Sequence, residues 1–290
     1  MFKYNEFNVQ LLKQFDGGNN YFNPTSNGKS ILFRYESKLN GHLNSEIITS
    51  TGIIILRNYT DDLYTYSYED PRYINEYEMS ICVCKKDKFT LSVLNVEFKT
   101  YNLLTKKFKN FKTQNTHFEK HWQFYDDKII YHVNPYTILN SDEVVIYKKE
   151  LNWTPWSEKY GNPGLSTNIF DVDGDEYLIF HSYKNINGIN LRYYCGILKV
   201  KNLIPIAYTL DPIFPSVENY NQELFTTYYN WKRTEKSFPT LVDVIFPMNV
   251  IVNRNVLDIY AGMNDCMCVK MTINKTVFKE KLKNMPWILI

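Results

Sequence analysis

A chain of 290 residues that is 44% hydrophobic and 16% aromatic, with Tyr 24 and Phe 18, has ample material for packed sheets and is not a disordered tail. Its 33 Lys and Arg against 31 Asp and Glu leave a formal charge of +2, which supplies no global field for nucleic acid, so any anion site must be local. The start, Met1 to Glu6, lacks the apolar core of a signal peptide and the longest aliphatic run, Ile53 to Leu56, is strand-sized, so a soluble cytoplasmic protein without a membrane segment is expected.

One unit recurs along the chain: a polar cluster marked by Pro or Trp, a short apolar stretch, a turn, and a second apolar strand. The first opens at Phe22-Asn23-Pro24 and turns at Asn27-Gly28; the second opens at Tyr68-Glu69-Asp70-Pro71-Arg72 and turns at Asn75-Glu76. The third runs from Phe118-Glu119-Lys120-His121-Trp122 to Asp126-Asp127, and the fourth from Asn162-Pro163-Gly164 to Asp173-Gly174. The fifth opens at Phe246-Pro247-Met248 and turns at Asn253-Arg254. These turn residues form local side-chain turns or tolerate left-handed backbone. Units about 50 residues apart, with a longer gap before the last, predict five sheets around an axis. The expected fold class is all-β, a five-bladed β-propeller in one domain over 1–290, with blades at roughly 20–60, 66–112, 116–150, 160–215 and 240–276.

The second strands align as Ile31-Leu32-Phe33-Arg34, Ile129-Ile130-Tyr131-His132, Leu178-Ile179-Phe180-His181 and Leu257-Asp258-Ile259-Tyr260-Ala261. Three end in an aromatic followed by Arg or His, which marks either a shared place near the blade mouth or a strand-end cap on loop carbonyls. No long 3.6-residue apolar period appears, so helices should be few. Lys106 to Lys112 interleaves lysine and aromatics and reads as a solvated edge strand before a polyanion site. The segment Pro205 to Asp243, broken by Asp211-Pro212, Phe214-Pro215 and Phe238-Pro239, reads as a lid or an elaborated blade edge. Two Cys-x-Cys pairs, Cys82/Cys84 and Cys266/Cys268, should each line one sheet surface, since i and i+2 share a face. Their spacing is not that of a zinc knuckle, so buried reduced thiols and no metal are expected.

In a propeller the innermost strands converge on a funnel, so polar groups at equivalent blade entries meet. Asp70, ahead of a proline that cannot donate to a ladder, and Asp265, in Gly262-Met263-Asn264-Asp265-Cys266, would supply the two carboxyl groups that glycosidic bond chemistry requires. Arg72, Lys120 and His181, with Arg34, would form a local pocket for phosphate or carboxylate. The competing reading pairs Arg72 with Glu69 or Asp70, and Lys120 with Glu119, purely to hold the blades. For Asp70 to carry a proton near neutral pH, burial or Glu69 must raise its pKa against the pull of Arg72.

The Glu69-Asp70-Pro71-Arg72, Glu119-Lys120-His121-Trp122, Phe180-His181 and Tyr260-to-Asp265 segments resemble the glycoside hydrolase family 130 mannoside phosphorylases. They are similar also to the related glycosyltransferase family 108 and its viral and eukaryotic relatives, over about residues 20 to 275. The resemblance implies a five-bladed propeller that carries out inverting glycosyl transfer, of the transferase or phosphorylase type, in its central funnel. Asp70 then matches the proton donor to the glycosidic oxygen. Arg72, Lys120 and His181 match the phosphate-binding positions, Asp265 the aspartate that grips sugar hydroxyls, and Asn23, Arg34, His121 and Trp122 sugar-facing residues. No cofactor is implied: phosphate, a sugar phosphate or a nucleotide sugar enters as substrate, with an oligosaccharide or sugar phosphate as the reacting partner. The chain departs from the pattern at His121, where many members have Asn, around Asn162 to Thr167, and in lacking helical extensions. The alternatives are a hydrolase on the same fold, and a non-catalytic carbohydrate-binding propeller in which Trp122, Tyr183 and Trp231 stack on sugars. A protein-interaction propeller ranks below these, because Trp-Asp and kelch signatures are missing.

Overall fold

A computed structural model describes residues 2–39, 42–90, 92–111, 120–186, 190–214, 227 and 241–290. Strand β1 (Asn8–Gln14) is followed by a first antiparallel sheet of β2 (Asn19–Ser26), β3 (Ile31–Leu39), β4 (His42–Thr49) and β5 (Ile54–Leu56). The second sheet holds β6 (Tyr59–Thr60), β7 (Tyr64–Tyr73), β8 (Glu78–Asp87), β9 (Val93–Asn102) and β10 (Lys107–Asn110). The third holds β11 (Gln123–Tyr125), β12 (Lys128–Val133), β13 (Tyr136–Asn140) and β14 (Val145–Lys149). After helix α1 (Thr154–Tyr160) comes a fourth sheet of β15 (Gly164–Leu165), β16 (Phe170–Val172), β17 (Asp175–Ile186), β18 (Asn190–Lys201), β19 (Ile204–Thr209) and β20 (Leu241–Asp243). The fifth is β21 (Ile245–Val252), β22 (Val256–Met263) and β23 (Met267–Asn274), after which helix α2 (Lys275–Lys283) leads to β24 (Trp287–Leu289) on the outer edge of the fourth sheet.

The five sheets stand in a ring, a five-bladed β-propeller. Closure comes from β1, which pairs antiparallel with β23 from Asn8 opposite Thr272 to Gln14 opposite Met267, so the first strand of the chain completes the last blade. A cavity of about 730 Å³ at one end of the axis is lined from all five blades, by Ser26, Tyr73, Phe124, Asn168 and Val250 among others. All five turns expected from sequence join an inner strand to its neighbour around this rim. Gly28, Asp126, Asp173 and Gly174 there have positive φ, which Gly accepts freely and Asp tolerates.

Hydrophobic strands run between blades because most are buried on both faces. Along β17, Leu178 and Phe180 pack with Ile130 and Val133 of the third blade, while Tyr177 and Ile179 pack with Val250 and Ile259 of the fifth. The period of two thus serves two interfaces at once. Strand β10 is exposed throughout, as expected of a lysine-guarded edge. All five cysteines are free and buried. Cys82 and Cys84 share one cluster, but Cys266 and Cys268 do not: Cys266 falls in the turn before β23 and packs toward the fourth blade, whereas Cys268 faces the first. His132 is exposed, since a register break between Ile130 and His132 takes it out of phase with Arg34 and His181. Residues 215–226 and 228–240 of the expected lid lie outside the described residues. Among those described, no helix is long and apolar enough to cross a membrane.

Gly196 faces Phe180 across β17 and β18, and a Cβ there would lie 2.4 Å from Phe180 Cζ and 2.9 Å from Trp156 Cη2. Both rings are fully buried, so neither has room to yield. Gly196→Ala should lower stability by about 1–3 kcal/mol, read as a reduced urea midpoint at unchanged slope.

Candidate active site

Two inner strands break their ladders in the same way where they approach the axis. In β2 the register with β3 slips between Phe22 and Thr25, and in β7 the register with β8 slips between Glu69 and Arg72. Each break holds an X-Pro pair, Asn23-Pro24 and Asp70-Pro71, because proline has no N–H to give the ladder. Asn23 and Asp70 both take a φ of 52°, a left-handed conformation that Asn and Asp accept more readily than other side-chain residues, and His121 takes 70° ahead of β11. A bulge re-aims the side chain it carries. Here it turns the two toward each other: Asn23 Nδ2 donates to Asp70 Oδ1.

Arg34, on β3, holds the acidic half of the site. Its Nη2 lies 2.8 Å from Glu69 Oε1 and 3.1 Å from Glu36 Oε1, its Nη1 lies 3.6 Å from Asp70 Oδ1, and its Nε donates to Ser45 Oγ at 2.9 Å. The guanidinium also sits 4.4 Å from the Phe22 ring centroid. Lys120 Nζ binds the other oxygen of Glu69 at 3.0 Å. Burial pushes both Glu69 and Asp70 up, but Arg34 first and Lys120 second outweigh it and hold both carboxyls below their usual range. Arg72 and the Asn23 hydrogen bond add to the effect on Asp70. The condition for a protonated Asp70, that burial or Glu69 outweigh the pull of the cations, is therefore not met in the free site: Arg34, Lys120 and Arg72 hold its carboxyl below the usual range.

The second half of the site centres on Arg72, which is 3% exposed. It forms no ion pair with Glu69 or Asp70, and Lys120 reaches Glu69 while Glu119 lies outside the described residues. Arg72 Nε donates to the Ser166 carbonyl at 3.3 Å, and Nη2 faces His121 Nδ1 at 3.2 Å and Met248 Sδ at 3.7 Å. Its Nη1 has no hydrogen-bond partner among the described residues. A guanidinium can only donate, so His121 Nδ1 accepts and its proton sits on Nε2. Burial, then Arg72, then His181 keep His121 well below the ordinary histidine range, and burial followed by Arg72 lowers His181 to about 3. His181 therefore joins this pocket as a neutral imidazole, where the sequence reading made it one of a basic trio. The two rings lie 5.3 Å apart and both pack on Phe246. His181 fits where it does because Gly164 opposes it: a Cβ at Gly164 would be 3.1 Å from His181 Cε1.

Asp265 sits in the turn from β22 to β23, with φ 53°. Its carbonyl accepts from Asn20 Nδ2 at 2.8 Å. Burial raises the Tyr193 phenol strongly, and the charges of Asp265, Tyr183 and Asp70 add to that rise. Tyr193 stacks on Tyr183, an exposed ring 5.7 Å away, and on His181 at 6.0 Å. Sequence reading omitted Tyr193 and Phe246 from the site, and it treated Glu69 as a neighbour of Asp70 when Glu69 bridges two cations.

Trp122 is corrected. It is 0% exposed and stacks 4.7 Å from Phe98 among Phe111 and Tyr131, in the core between the second and third blades, so no sugar can reach it. It follows His121, whose left-handed backbone precedes β11, and turns into the core against Phe98. Trp231 lies outside the described residues. A cavity of about 900 Å³, lined by Tyr177, Lys199, Lys279 and Trp287 among others, holds none of the expected site residues. Buried charge and an unbonded donor distinguish the central site, not size.

No family model and no curated protein matches the chain. Among solved structures it is similar to a β-1,2-mannobiose phosphorylase from Listeria innocua in complex with β-1,2-mannobiose, at TM-score 0.57 and 12% identity over 97% of this chain and 98% of that one. It is similar also to a mannose phosphorylase from Leishmania mexicana in complex with phosphate, at TM-score 0.54 and 15% identity over 97% and 92%. A GDP-Man-dependent mannosyltransferase from Leishmania mexicana matches at TM-score 0.56 and 14% identity over 92% and 90%. These likenesses show a shared propeller fold.

Arg34→Met would leave Glu36, Glu69 and Asp70 without their central cation. Breaking a buried pair from one side typically costs on the order of 3–5 kcal/mol, and a loss of that size is expected at neutral pH. In the native protein the lowered carboxyls contribute stability above the unfolded carboxylate range and lose it as pH falls through their folded values. The deficit of the variant should accordingly shrink on acidification below the ordinary carboxylate range, as seen in denaturation midpoints followed from pH 7 down to pH 2.

Proposed function

We propose that this chain is a carbohydrate-active enzyme that transfers a mannosyl group, with inversion, between a glycosidic oxygen and a phosphate. The observation that carries the reading is Arg72: a buried guanidinium with one nitrogen unbonded among the described residues, set against the neutral His121 imidazole and two residues along β7 from the Asp70 carboxyl. Such a donor set, in a protein of almost no net charge, suits a compact anion. The likeness to two phosphorylases, one of them bound to phosphate, supports the choice of anion and sugar.

In the phosphorolytic direction, protonated Asp70 gives its proton to the leaving glycosidic oxygen while a phosphate oxygen, held by Arg72, attacks the anomeric carbon from the opposite face. The C–O bond to the leaving sugar breaks as the new C–O bond to phosphate forms. The products are a sugar phosphate of inverted configuration and a free hydroxyl. Phosphate is nucleophilic as an anion, so no second carboxylate is needed as base. Glu69, fixed between Arg34 and Lys120, is unsuited to that task in any case. Asn23 aligns the acid, and Asp265 with Tyr193 offers hydrogen bonds to sugar hydroxyls at the mouth. A nucleotide sugar is the second reading: the same donors suit a diphosphate leaving group, and the likeness to a GDP-Man-dependent transferase supports it.

The test incubates the protein with β-mannosides plus phosphate, and with mannose 1-phosphate or GDP-mannose plus acceptor sugars, following sugar phosphate, phosphate and nucleotide. Asp70→Asn should lower turnover by about 10²- to 10⁴-fold with the fold kept, and Arg72→Met should raise the phosphate KM. Turnover without phosphate or an activated donor would make the enzyme a hydrolase. Mannoside binding with no turnover under any condition would make it a binding module.

A further inference from the structure

The proposed chemistry needs a proton on Asp70, and the free site is built to keep it off. The carboxyl receives an N–H from Asn23 and faces Arg34 Nη1 at 3.6 Å, contacts that an ionised carboxylate satisfies better than a protonated one. The other charged or titratable groups facing it come from every neighbouring blade element. Glu36 on β3 and Glu69 on β7 are already bound to Arg34, Lys120 is bound to Glu69, and the Cys82 thiol on β8 is pushed up to about 12 by burial. His121 before β11 and His181 on β17 are neutral, and Tyr193 on β18 is a phenol. Arg72 alone of the three cations around Asp70 lacks a carboxylate partner within ion-pair distance among the described residues.

We propose that an anion entering the Arg72 pocket is what loads the proton onto Asp70, so that the acid is armed only when the nucleophile is in place. This rests on the anion-site reading given above. The physics is charge compensation: an anion on Arg72 cancels the one cation not already neutralised locally, and adds negative field on a buried carboxyl whose desolvation already disfavours charge. One proton then moves from solvent to Asp70. It leaves with the glycosidic oxygen during transfer, and the emptied site returns to the ionised state. The device ties acid catalysis to occupancy and protects a bound glycoside from wasteful protonation before phosphate arrives.

His181 is the rival acceptor for that proton, since its Nδ1 has no partner among the described residues, whereas His121 Nδ1 faces an Arg72 donor. The two are separated by titrating the intact protein with sulfate, which has no ionisation of its own near neutrality. Calorimetry at pH 6 to 7 in buffers of different ionisation enthalpy reads the protons taken up per sulfate. The expected result is uptake approaching one proton in the native protein and lost in Asp70→Asn, with a protonated-carboxyl carbonyl band that grows with sulfate in the infrared spectrum of the native protein. Sulfate binding without uptake, or uptake that survives in Asp70→Asn, would overturn the proposal while leaving the anion site standing. Failure of sulfate to bind at all, or binding unchanged in Arg72→Met, would overturn the anion site and the coupling together. The infrared signal needs no variant, so a misfolded Asp70→Asn does not leave the question open.

Discussion

The pairing of β1 with β23 is the constraint on which the rest depends. Six residue pairs between the two ends of the chain complete the fifth blade, and with it the ring. An open array of five sheets would leave the two faces of the first and fifth blades unmatched, exposing Phe22, Phe33 and Cys268, which now bury one another. Closure also makes the axis a place. Asn23, Asp70, His121, His181 and Phe246 belong to five different blades, and only a closed circle brings them within side-chain reach.

Within that circle the site is divided into two electrostatic halves. On one side Arg34 and Lys120 face Glu36, Glu69 and Asp70, a network in which each charge lies within ion-pair reach of an opposite one and desolvation is tolerable. On the other, Arg72 is held by a carbonyl, a neutral imidazole and a thioether sulfur, none of which carries charge. A buried cation supported in this way is stable only if the surrounding structure fixes it, and it gains most from a ligand that brings the missing negative charge. The asymmetry of the halves is the physical content of the functional reading.

Left-handed backbone at Asn23 and Asp70 shows how modest local chemistry builds the site. A proline interrupts each ladder, the residue before it swings inward, and a short polar side chain bears the conformation. Asn in the first blade and Asp in the second then form a donor–acceptor pair that neither blade possesses alone. His121 occupies the matching entry of the third blade, and its φ of 70° is harder to hold for an imidazole, so its contacts with Arg72 and Phe246 are part of what keeps it there.

Much of the architecture was legible from the amino acids. Turn chemistry at Asn27-Gly28, Asn75-Glu76, Asp126-Asp127, Asp173-Gly174 and Asn253-Arg254 is local, so it marks the blades without reference to anything distant, and the same locality exposes Asp70-Pro71 as a ladder break. The same reading put Asp70, Arg72 and Lys120 at blade entries and His181 at a strand end, where β17 instead runs on to Ile186. What only the tertiary structure decided is everything that depends on a neighbour from another blade. Trp122 sits in an equally good motif yet turns into the core, where it stacks on Phe98 of the second blade, a partner the motif does not contain. Tyr193 lies deep in a strand with no entry motif, and its contacts with His181 of its own blade and Phe246 of the next exist only in the folded ring. Whether a carboxyl is charged, and whether an arginine is matched, are sums over groups far apart along the chain, and no local pattern contains those sums.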